Sequence, residues 1–135
     1  MNPFHRISAG AALLLAAGAL FTAAQAATPA DLLAGYSARA GAPAQAARGQ
    51  QFFTTTHGRE WSCANCHGAI PTQGGKHAAT GKPIAAMAPA FNPERFTDPA
   101  KVEKWFRRNC NDVAGRECST AEKADLLAWL MTLKP

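Results

Sequence analysis

Two cysteines and a histidine stand close enough in this chain to hold one prosthetic group. They form the run Cys63-Ala64-Asn65-Cys66-His67, which has the CxxCH spacing of covalent haem c attachment. In such a motif the two thiols add to the vinyl groups of haem as thioethers, and the histidine becomes the proximal ligand of the iron. We therefore expect one haem c, attached to Cys63 and Cys66, with His67 as its proximal iron ligand.

Two other uses of a CxxC pair agree less well with the rest of the chain. A thiol-redox motif is expected near a βαβ pattern, which this sequence does not have. A structural zinc site needs a second pair of ligands at matching spacing. The other two cysteines, Cys110 and Cys118, are separated by seven residues, and this spacing suits a zinc site poorly.

The N-terminus has the composition of an export signal. Arg6 provides a positive charge, an apolar run extends from Ala9 to Phe21, and Ala24-Gln25-Ala26 resembles a cleavage site. The apolar run is shorter than the about 20 residues of a membrane span, and an uncleaved anchor is the alternative. We expect a signal peptide over residues 1–26, one domain over residues 27–135, and a periplasmic location, where disulfides also form.

The chain is mildly basic, with 14 Lys and Arg, 9 Asp and Glu and a formal net charge of +5 at pH 7. This balance is compatible with simple solubility and with attraction to an acidic redox partner. Arg107 and Arg108 are expected on a solvated basic face. No combination of basic and aromatic residues points to nucleic acid, so we expect no binding to it.

The sequence predicts four helical stretches and shows little sign of strands, so we expect an all-α fold. These helices would position the haem motif. The first is predicted from about Ala30 to Ala40. The second is predicted from about Pro43 to Thr54, with Pro43 at its first position. The residues between Gly68 and Pro93 are rich in glycine and proline and predict a long irregular segment.

The third helix is predicted to begin at Pro99 and has an unusual polar residue. Val102, Trp105 and Phe106 form one apolar face at about 100° per residue, and Asn109 falls on the same face. A polar amide on an apolar face must be hydrogen-bonded or must bind a ligand.

The fourth helix begins with the capping box Ser119-Thr120-Ala121-Glu122 and repeats apolar residues at helical spacing. Its Leu126 and Trp129 resemble the apolar-x-x-aromatic pattern of the C-terminal helix in class I cytochromes c. Gly49 and Phe53 resemble the G-x-x-x-aromatic pattern of the N-terminal helix in that class. We expect Gly49 to let these two helices approach closely where they cross.

The residue on the other side of the iron decides between electron transfer and gas binding. Met87, in a loop downstream of the haem motif, is the most frequent type of ligand, although methionine is also a common core residue. His77 is a weaker candidate, because its neighbours are glycine and lysine. Asn109 is a third candidate, which by position alone would equally satisfy backbone groups at a helix end. These residues by themselves leave the sixth ligand open.

Nearly the whole chain after the export signal resembles the SHP (sphaeroides haem protein) family of high-spin class I cytochromes c. The resemblance is carried by Pro29-Ala30-Asp31-Leu32-Leu33-Ala34-Gly35-Tyr36, Arg95-Phe96-Thr97-Asp98, Val102-Glu103-Lys104-Trp105, Arg108-Asn109-Cys110-Asn111, Gly115-Arg116-Glu117-Cys118 and Glu122-Lys123-Ala124-Asp125-Leu126-Leu127-Ala128-Trp129-Leu130. It implies a small all-α class I cytochrome c fold, in which the N- and C-terminal helices cross and haem c lies in the core.

The resemblance also implies roles for individual residues. In this family the asparagine directly before the first of two disulfide-bonded cysteines is the distal iron ligand. The matching residues are Asn109 and a Cys110–Cys118 disulfide. The position of Met87 carries a different apolar residue in the family, so this methionine is the alternative distal ligand.

The expected function follows from the distal ligand. A neutral amide oxygen is a weak donor to ferrous iron, so Asn109 is expected to release on reduction and to allow O2, NO or CO to bind. We expect a redox and gas-binding haem protein and not an enzyme. The family implies a dihaem cytochrome c and a membrane cytochrome b as partners, and we expect a monomer or weak dimer. The alternative is an ordinary low-spin electron-transfer cytochrome with His67 and Met87 as iron ligands.

Overall fold

The computed structural model describes residues 26–135, which form five helices and one short antiparallel pair of strands. The helices are α1 (Pro29–Ala40), α2 (Ala46–Thr54), α3 (Cys63–His67), α4 (Pro99–Ala114) and α5 (Thr120–Thr132), and the strands are β1 (Gly75–Lys76) and β2 (Pro83–Ile84). The predicted all-α class is confirmed. The predicted signal peptide lies outside the described residues except for its last residue. Within residues 26–135, no helix has the length and apolar character needed to cross a membrane.

Helix α5 is the centre of the core, because it packs against both α2 and α1. Toward α2 it buries Leu126 and Trp129 around Phe53, whose ring centroid lies 4.9 Å from that of Trp129. Toward α1 it buries Leu127 against Tyr36. Helix α5 is therefore buried over a wider arc than the single apolar face expected from its sequence.

Helices α2 and α5 cross at Gly49, as predicted. A Cβ atom on Gly49 would collide with the backbone carbonyl of Asp125, so only glycine permits this approach. The buried carboxylate of Asp125 accepts hydrogen bonds from the Gln45 backbone N–H at 2.6 Å and from Nε of Arg48 at 2.7 Å. A close backbone approach and one ion pair thus fix the crossing that supports the haem motif.

The four helices predicted from the sequence begin within one residue of the expected position, with one exception. Asp98 accepts a hydrogen bond from the Lys101 backbone N–H at the start of α4, and Ser119 caps α5 as predicted. The exception is α2, which begins at Ala46 and not at Pro43. The prediction is wrong because the hydrogen bond from Gln45 to the distant Asp125 holds Gln45 in an extended conformation, outside the helix.

The segment predicted to be irregular contains a small hairpin. Gly75 pairs with Ile84 and Lys76 pairs with Pro83 in antiparallel register. The turn is closed by a hydrogen bond from the His77 N–H to the Lys82 carbonyl at 2.9 Å. The hairpin places this part of the loop against the haem motif.

Helix α4 buries a narrower face than predicted. Val102 and Val113 are buried, and Phe106 packs against both core clusters. Trp105, predicted on the same face, is 40% exposed, with the guanidinium of Arg108 5.6 Å from its ring centroid. The buried arc is centred on Val102, Phe106 and Val113, and Trp105 lies at its edge.

A polar network attaches α4 to α1 and α5. The Tyr36 hydroxyl and the Lys123 ammonium each donate to the Glu103 carboxylate at 2.7 Å. Burial, with the hydrogen bond to Glu103, raises the pKa of Tyr36 well above its ordinary value. Burial alone would also raise the pKa of Glu103, but the hydrogen bonds from Lys123 and Tyr36 lower it. This network fixes the orientation of the helix that carries Asn109.

Candidate haem site

The haem motif forms a short helix with its own cap. Helix α3 begins after the buried Ser62, whose backbone N–H and hydroxyl both donate to the side-chain oxygen of Asn65 at 2.7 and 2.8 Å. Cys63 and Cys66 follow at a spacing of three residues, which brings two helical side chains to the same side, and both thiols are free. Sequence reasoning missed the role of Asn65, although Ser62 stands at capping-box spacing before it.

Burial affects the protonation of the Cys63 thiol and of the His67 imidazole. It raises the pKa of the Cys63 thiol to about 11. Burial, together with a smaller contribution from the positive charge of Arg95, lowers the pKa of the His67 imidazole to about 4. His67 is therefore neutral near pH 7, with a ring-nitrogen lone pair available for iron.

The hairpin of β1 and β2 packs directly on the motif. A Cβ atom on Gly75 would collide with the backbone carbonyl of Cys66, and the Ala78 backbone N–H donates to the Cys66 sulfur at 3.2 Å. His77 belongs to the same hairpin, where its Nδ1 accepts a hydrogen bond from the Thr80 N–H at 3.3 Å. The hairpin thus contacts the Cys66 thiol. The His77 ring is hydrogen-bonded within the turn of the hairpin.

Met87 lies in the hydrophobic cluster that contacts the haem motif. It packs against the buried cluster around Phe53, as Cys63 does. The Phe53 ring centroid is 6.2 Å from that of His67. The Met87 backbone N–H donates to the Pro71 carbonyl at 3.1 Å, which fixes the loop at this point. Met87 therefore packs in the same part of the core as Cys63 of the haem motif.

Asn109 lies within helix α4 and is partly exposed. The side-chain hydrogen bonds of α4 and its N-cap, within the described part of the chain, are made by Glu103 and Asp98, and the Asn109 amide takes part in none of them. The helix continues to Ala114 and ends at Gly115, with a φ of 68°. Asn109 is therefore not a helix-end residue that satisfies backbone groups, and this alternative is wrong.

A disulfide joins Cys110 to Cys118, whose Cα atoms are 5.5 Å apart, and both residues are buried. Cys110 directly follows Asn109, and Cys118 directly precedes Ser119, the N-cap of α5. The backbone beside Asn109 is therefore tied to the start of the central helix.

Arg95 is a further residue of this site that sequence reasoning missed. Its Nε donates to the Ala86 carbonyl and its Nη2 to the Ala85 carbonyl, both at 3.0 Å. The guanidinium is partly buried, and burial lowers its pKa. By contrast Arg107 and Arg108, which the sequence places on a solvated face, are exposed. No local motif marks Arg95, because its surroundings come from a loop ten residues earlier in the chain.

The donor set fits haem c. Two free thiols on one side of a helical turn and a neutral imidazole beside them are the groups that covalent haem attachment uses. Among residues 26–135, no group of three or more His, Cys, Asp and Glu side chains is placed to hold a metal ion. This observation argues against the zinc alternative.

Comparisons with known proteins agree with this site. The sequence profile of a family described as "Domain of unknown function (DUF1924)" matches residues 39–130. The cytochrome c-type protein SHP of Cereibacter sphaeroides is 57% identical over 107 residues, which are 76% of this chain and 82% of that protein. Cytochrome c'' of Methylophilus methylotrophus is 48% identical over 80 residues, which are 59% of this chain and 56% of that protein.

Solved structures share the fold. The structure of oxidised SHP, described as an oxygen-binding cytochrome c, matches with a TM-score of 0.73 and 54% identity, covering 78% of this chain and 97% of that one. Oxidised cytochrome c'' from Methylophilus methylotrophus matches with a TM-score of 0.73 and 36% identity, covering 79% and 95%. These relatives confirm the predicted cytochrome c fold and the predicted haem c. The chain therefore belongs to the SHP family and is a monohaem c-type cytochrome.

Proposed function

We propose that this protein is a periplasmic haem protein that exchanges electrons and binds a diatomic gas when it is reduced. Cys63 and Cys66 hold the haem as thioethers, and His67 is the proximal iron ligand. The haem supplies one-electron exchange and, where a coordination position is open, affinity for O2, NO or CO. Asn109 is the residue that closes this position in the oxidised protein and opens it on reduction.

The free amide of Asn109 is the observation that carries this proposal. It stands in α4 with no hydrogen bond to another described residue, while Glu103 and the Cys110–Cys118 disulfide hold the helix on either side. Because no hydrogen bond to the protein holds this partly exposed amide, binding to iron would not require one to be broken. Because a neutral oxygen donor favours ferric over ferrous iron, Asn109 withdraws on reduction.

The descriptions of two relatives support a haem ligand that detaches from the iron. SHP is described as an oxygen-binding cytochrome c, and the solution structure of cytochrome c'' is described as giving insight into haem-ligand detachment. Loss of a haem ligand is the step that we assign to Asn109, and gas binding is its consequence.

Met87, the alternative distal ligand, is better explained as a core residue. It packs in the cluster around Phe53, and the Phe53 ring adjoins the ring of His67. A low-spin cytochrome with Met87 as ligand is therefore the outcome that would contradict the proposal.

A redox role requires a partner that delivers electrons. We propose a dihaem cytochrome c, linked to a membrane cytochrome b, as the family implies. Residues 27–135 keep 13 of the 14 Lys and Arg and all 9 Asp and Glu, and this positive balance favours a partner with an acidic surface. We assign no catalytic reaction to this protein.

Optical spectroscopy of the purified holoprotein tests the proposal. After reduction with dithionite and without added ligand, we expect a five-coordinate high-spin spectrum that changes when carbon monoxide is added. A low-spin spectrum that carbon monoxide leaves unchanged would contradict gas binding. A protein whose mass lacks covalent haem would contradict the whole proposal.

Two variants identify the distal ligand. Asn109→Ala is expected to change the ferric spectrum and to leave the reduced spectrum close to that of the wild type. Met87→Leu is the matched control, because it preserves an apolar side chain of similar volume, and it is expected to leave both spectra unchanged. The reverse pattern would identify Met87 as the ligand.

A further inference from the structure

Arg95 has a charge that the described protein residues do not pair. Its Nε and Nη2 donate to the carbonyls of Ala86 and Ala85, which are neutral acceptors for two of the five guanidinium N–H groups. The ion pairs among residues 26–135 are those of Arg48, Arg107, Arg116 and Lys123. Arg95 takes part in none of these pairs.

Partial burial makes this unpaired charge unfavourable. The Arg95 guanidinium stays protonated near pH 7, since an arginine pKa lies far above neutrality. Removing water from a cation costs free energy unless an anion compensates for it. Phe96, next to Arg95, and Met87, next to Ala86, pack against the same buried cluster as Cys63, so the guanidinium lies near the haem motif. Arg95 therefore presents a cation to the haem site that calls for an anionic partner.

The backbone next to Arg95 is held in an uncommon conformation. Phe96 has a φ of 60°, a left-handed value that is unfavourable for a large aromatic residue. The Phe96 side chain packs against both core clusters, and its ring centroid lies 6.5 Å from that of Phe106. This packing fixes Phe96 in the core while the preceding Arg95 reaches the loop of Ala85 and Ala86. The position of the guanidinium is thus set by the fold.

We propose that Arg95 binds a propionate carboxylate of the haem. This inference rests on the proposed attachment of haem at Cys63 and Cys66, and it adds a positioning residue for the edge of the porphyrin. The propionates are the anionic groups that haem brings to the site. A guanidinium with N–H groups left over from its two carbonyl contacts is well suited to a carboxylate, because its planar fork donates parallel hydrogen bonds.

Two variants of the holoprotein and one control test this contact. Arg95→Gln removes the charge, and Arg95→Lys keeps the charge but lacks the planar fork. The control, Arg107→Gln, removes the same charge from a side chain that is 65% exposed. Resonance Raman spectra report the bending mode of the haem propionates. Redox titrations at several pH values report whether a propionate takes up a proton near neutral pH.

Arg95→Gln is expected to shift the propionate mode and to lower the reduction potential, because loss of a nearby cation favours ferric iron. It is also expected to make the potential more dependent on pH near neutrality, since an unpaired carboxylate binds a proton more readily. Arg95→Lys is expected to shift the propionate mode while its potential stays closer to that of the wild type. Arg107→Gln is expected to leave the mode and the pH dependence unchanged.

A propionate mode and a pH dependence that both Arg95 variants leave unchanged would overturn this inference. Arg95 would then serve only to hold the loop of Ala85 and Ala86. If Arg95→Gln does not accumulate as folded protein, the propionate mode of Arg95→Lys decides the question. The mass of the wild-type protein and the spectra of Asn109→Ala test the proposed function separately, so failure of the Arg95 contact is distinguishable from failure of haem attachment or of the distal ligand.

Discussion

Two asparagines illustrate how surroundings decide what a side chain does in this protein. The side-chain oxygen of Asn65 accepts two hydrogen bonds from Ser62 and is fully occupied in starting the haem helix. The amide of Asn109 has no such partner among the described residues. We therefore expect Asn65 to contribute to stability, whereas Asn109 is the ligand that we propose for the iron.

The cap of the haem helix gives a prediction about stability. Asn65→Ala is expected to lower the free energy of unfolding by about 1 kcal/mol, because the N–H and hydroxyl of Ser62 lose their acceptor. Urea unfolding of the holoprotein measures this change. Asn111→Ala removes the same amide from an exposed position of α4 and is expected to change stability by less than about 0.5 kcal/mol. Equal stability of the two variants would contradict the role of Asn65.

Local spacing is what makes part of the site predictable. Cys63, Cys66 and His67 are recognisable because their chemistry requires neighbours in sequence. The position of Asn109 is recognisable only through the family resemblance, since the absence of a partner for its amide is a property of the folded chain. Arg95 is not recognisable at all from the sequence, because its burial depends on the loop of Ala85 and Ala86.

The helices and strands are likewise predictable only where local sequence spacing determines them. Helices α4 and α5 begin where their caps predict, because a cap is formed by residues three positions apart. The start of α2 is not predictable in this way, since it depends on Asp125, 80 residues from Gln45. The hairpin of β1 and β2 is also hidden in the sequence. Strands of two residues are too short to show an alternating sequence pattern. The hairpin is instead held by the close approach of Gly75 to the Cys66 backbone.

The crossing of α2 and α5 gives a prediction about packing. Gly49→Ala is expected to destabilise the protein by about 1–3 kcal/mol, because the added methyl group would collide with the Asp125 backbone. Gly35→Ala is the matched control in α1, where a new Cβ would contact only the end of the flexible Arg39 side chain at 3.4 Å. We expect the control to be neutral or stabilising, since alanine favours helix. Urea unfolding of both variants measures their free energies of unfolding. Equal destabilisation would contradict the role of Gly49 at the crossing.

The start of α5 gives a prediction about pH. Hydrogen bonds from Arg116 at 2.7 and 2.8 Å, and from the Ser119 N–H, lower the pKa of Glu122 below its ordinary value of 4.5. A lowered carboxyl pKa contributes stability above the ordinary value, and this contribution is lost as the pH falls through the lowered value. The free energy of unfolding is therefore expected to fall as the pH drops below the ordinary value of 4.5 and through the lowered pKa of Glu122.

Glu122→Gln is expected to flatten this decline, because glutamine has no carboxylate to protonate. Glu60→Gln makes the same change at an exposed residue. Its free energy of unfolding is expected to fall with pH as that of the wild type does. Urea unfolding at several pH values compares the three proteins. A decline in Glu122→Gln as steep as that of the wild type would show that other groups cause the acid sensitivity.

At the scale of the whole molecule, α4 is attached to the rest of the fold on both sides of Asn109. Glu103 is bound by Tyr36 of α1 and Lys123 of α5, and the disulfide of Cys110 ties the helix to the segment before α5. The proposed distal ligand is thus carried on a helix that is fixed relative to the core.

Removal of the disulfide tests this arrangement. Changing both Cys110 and Cys118 to Ala is expected to lower the free energy of unfolding by roughly 2.5 kcal/mol, the value for opening a loop of this length. It is also expected to alter the ferric spectrum, because the backbone beside Asn109 loosens. Gly49→Ala is a control of comparable cost, about 1–3 kcal/mol, whose added methyl group would collide with the backbone of α5 and not with α4, and it is expected to keep the ferric spectrum. An unchanged ferric spectrum after loss of the disulfide would contradict a role in holding Asn109.

The position of α5 after α1 and α2 in the chain has a consequence for maturation. Helices α1 and α2 both need this 13-residue helix as their packing partner, so the interior stays incomplete until α5 has joined them. During that interval the Cys63 thiol is in water, where its pKa is close to 9.0 and not to the value of about 11 that it has after folding. Thioether formation is therefore easiest early, and the order of residues along the chain sets a time limit for loading the cofactor.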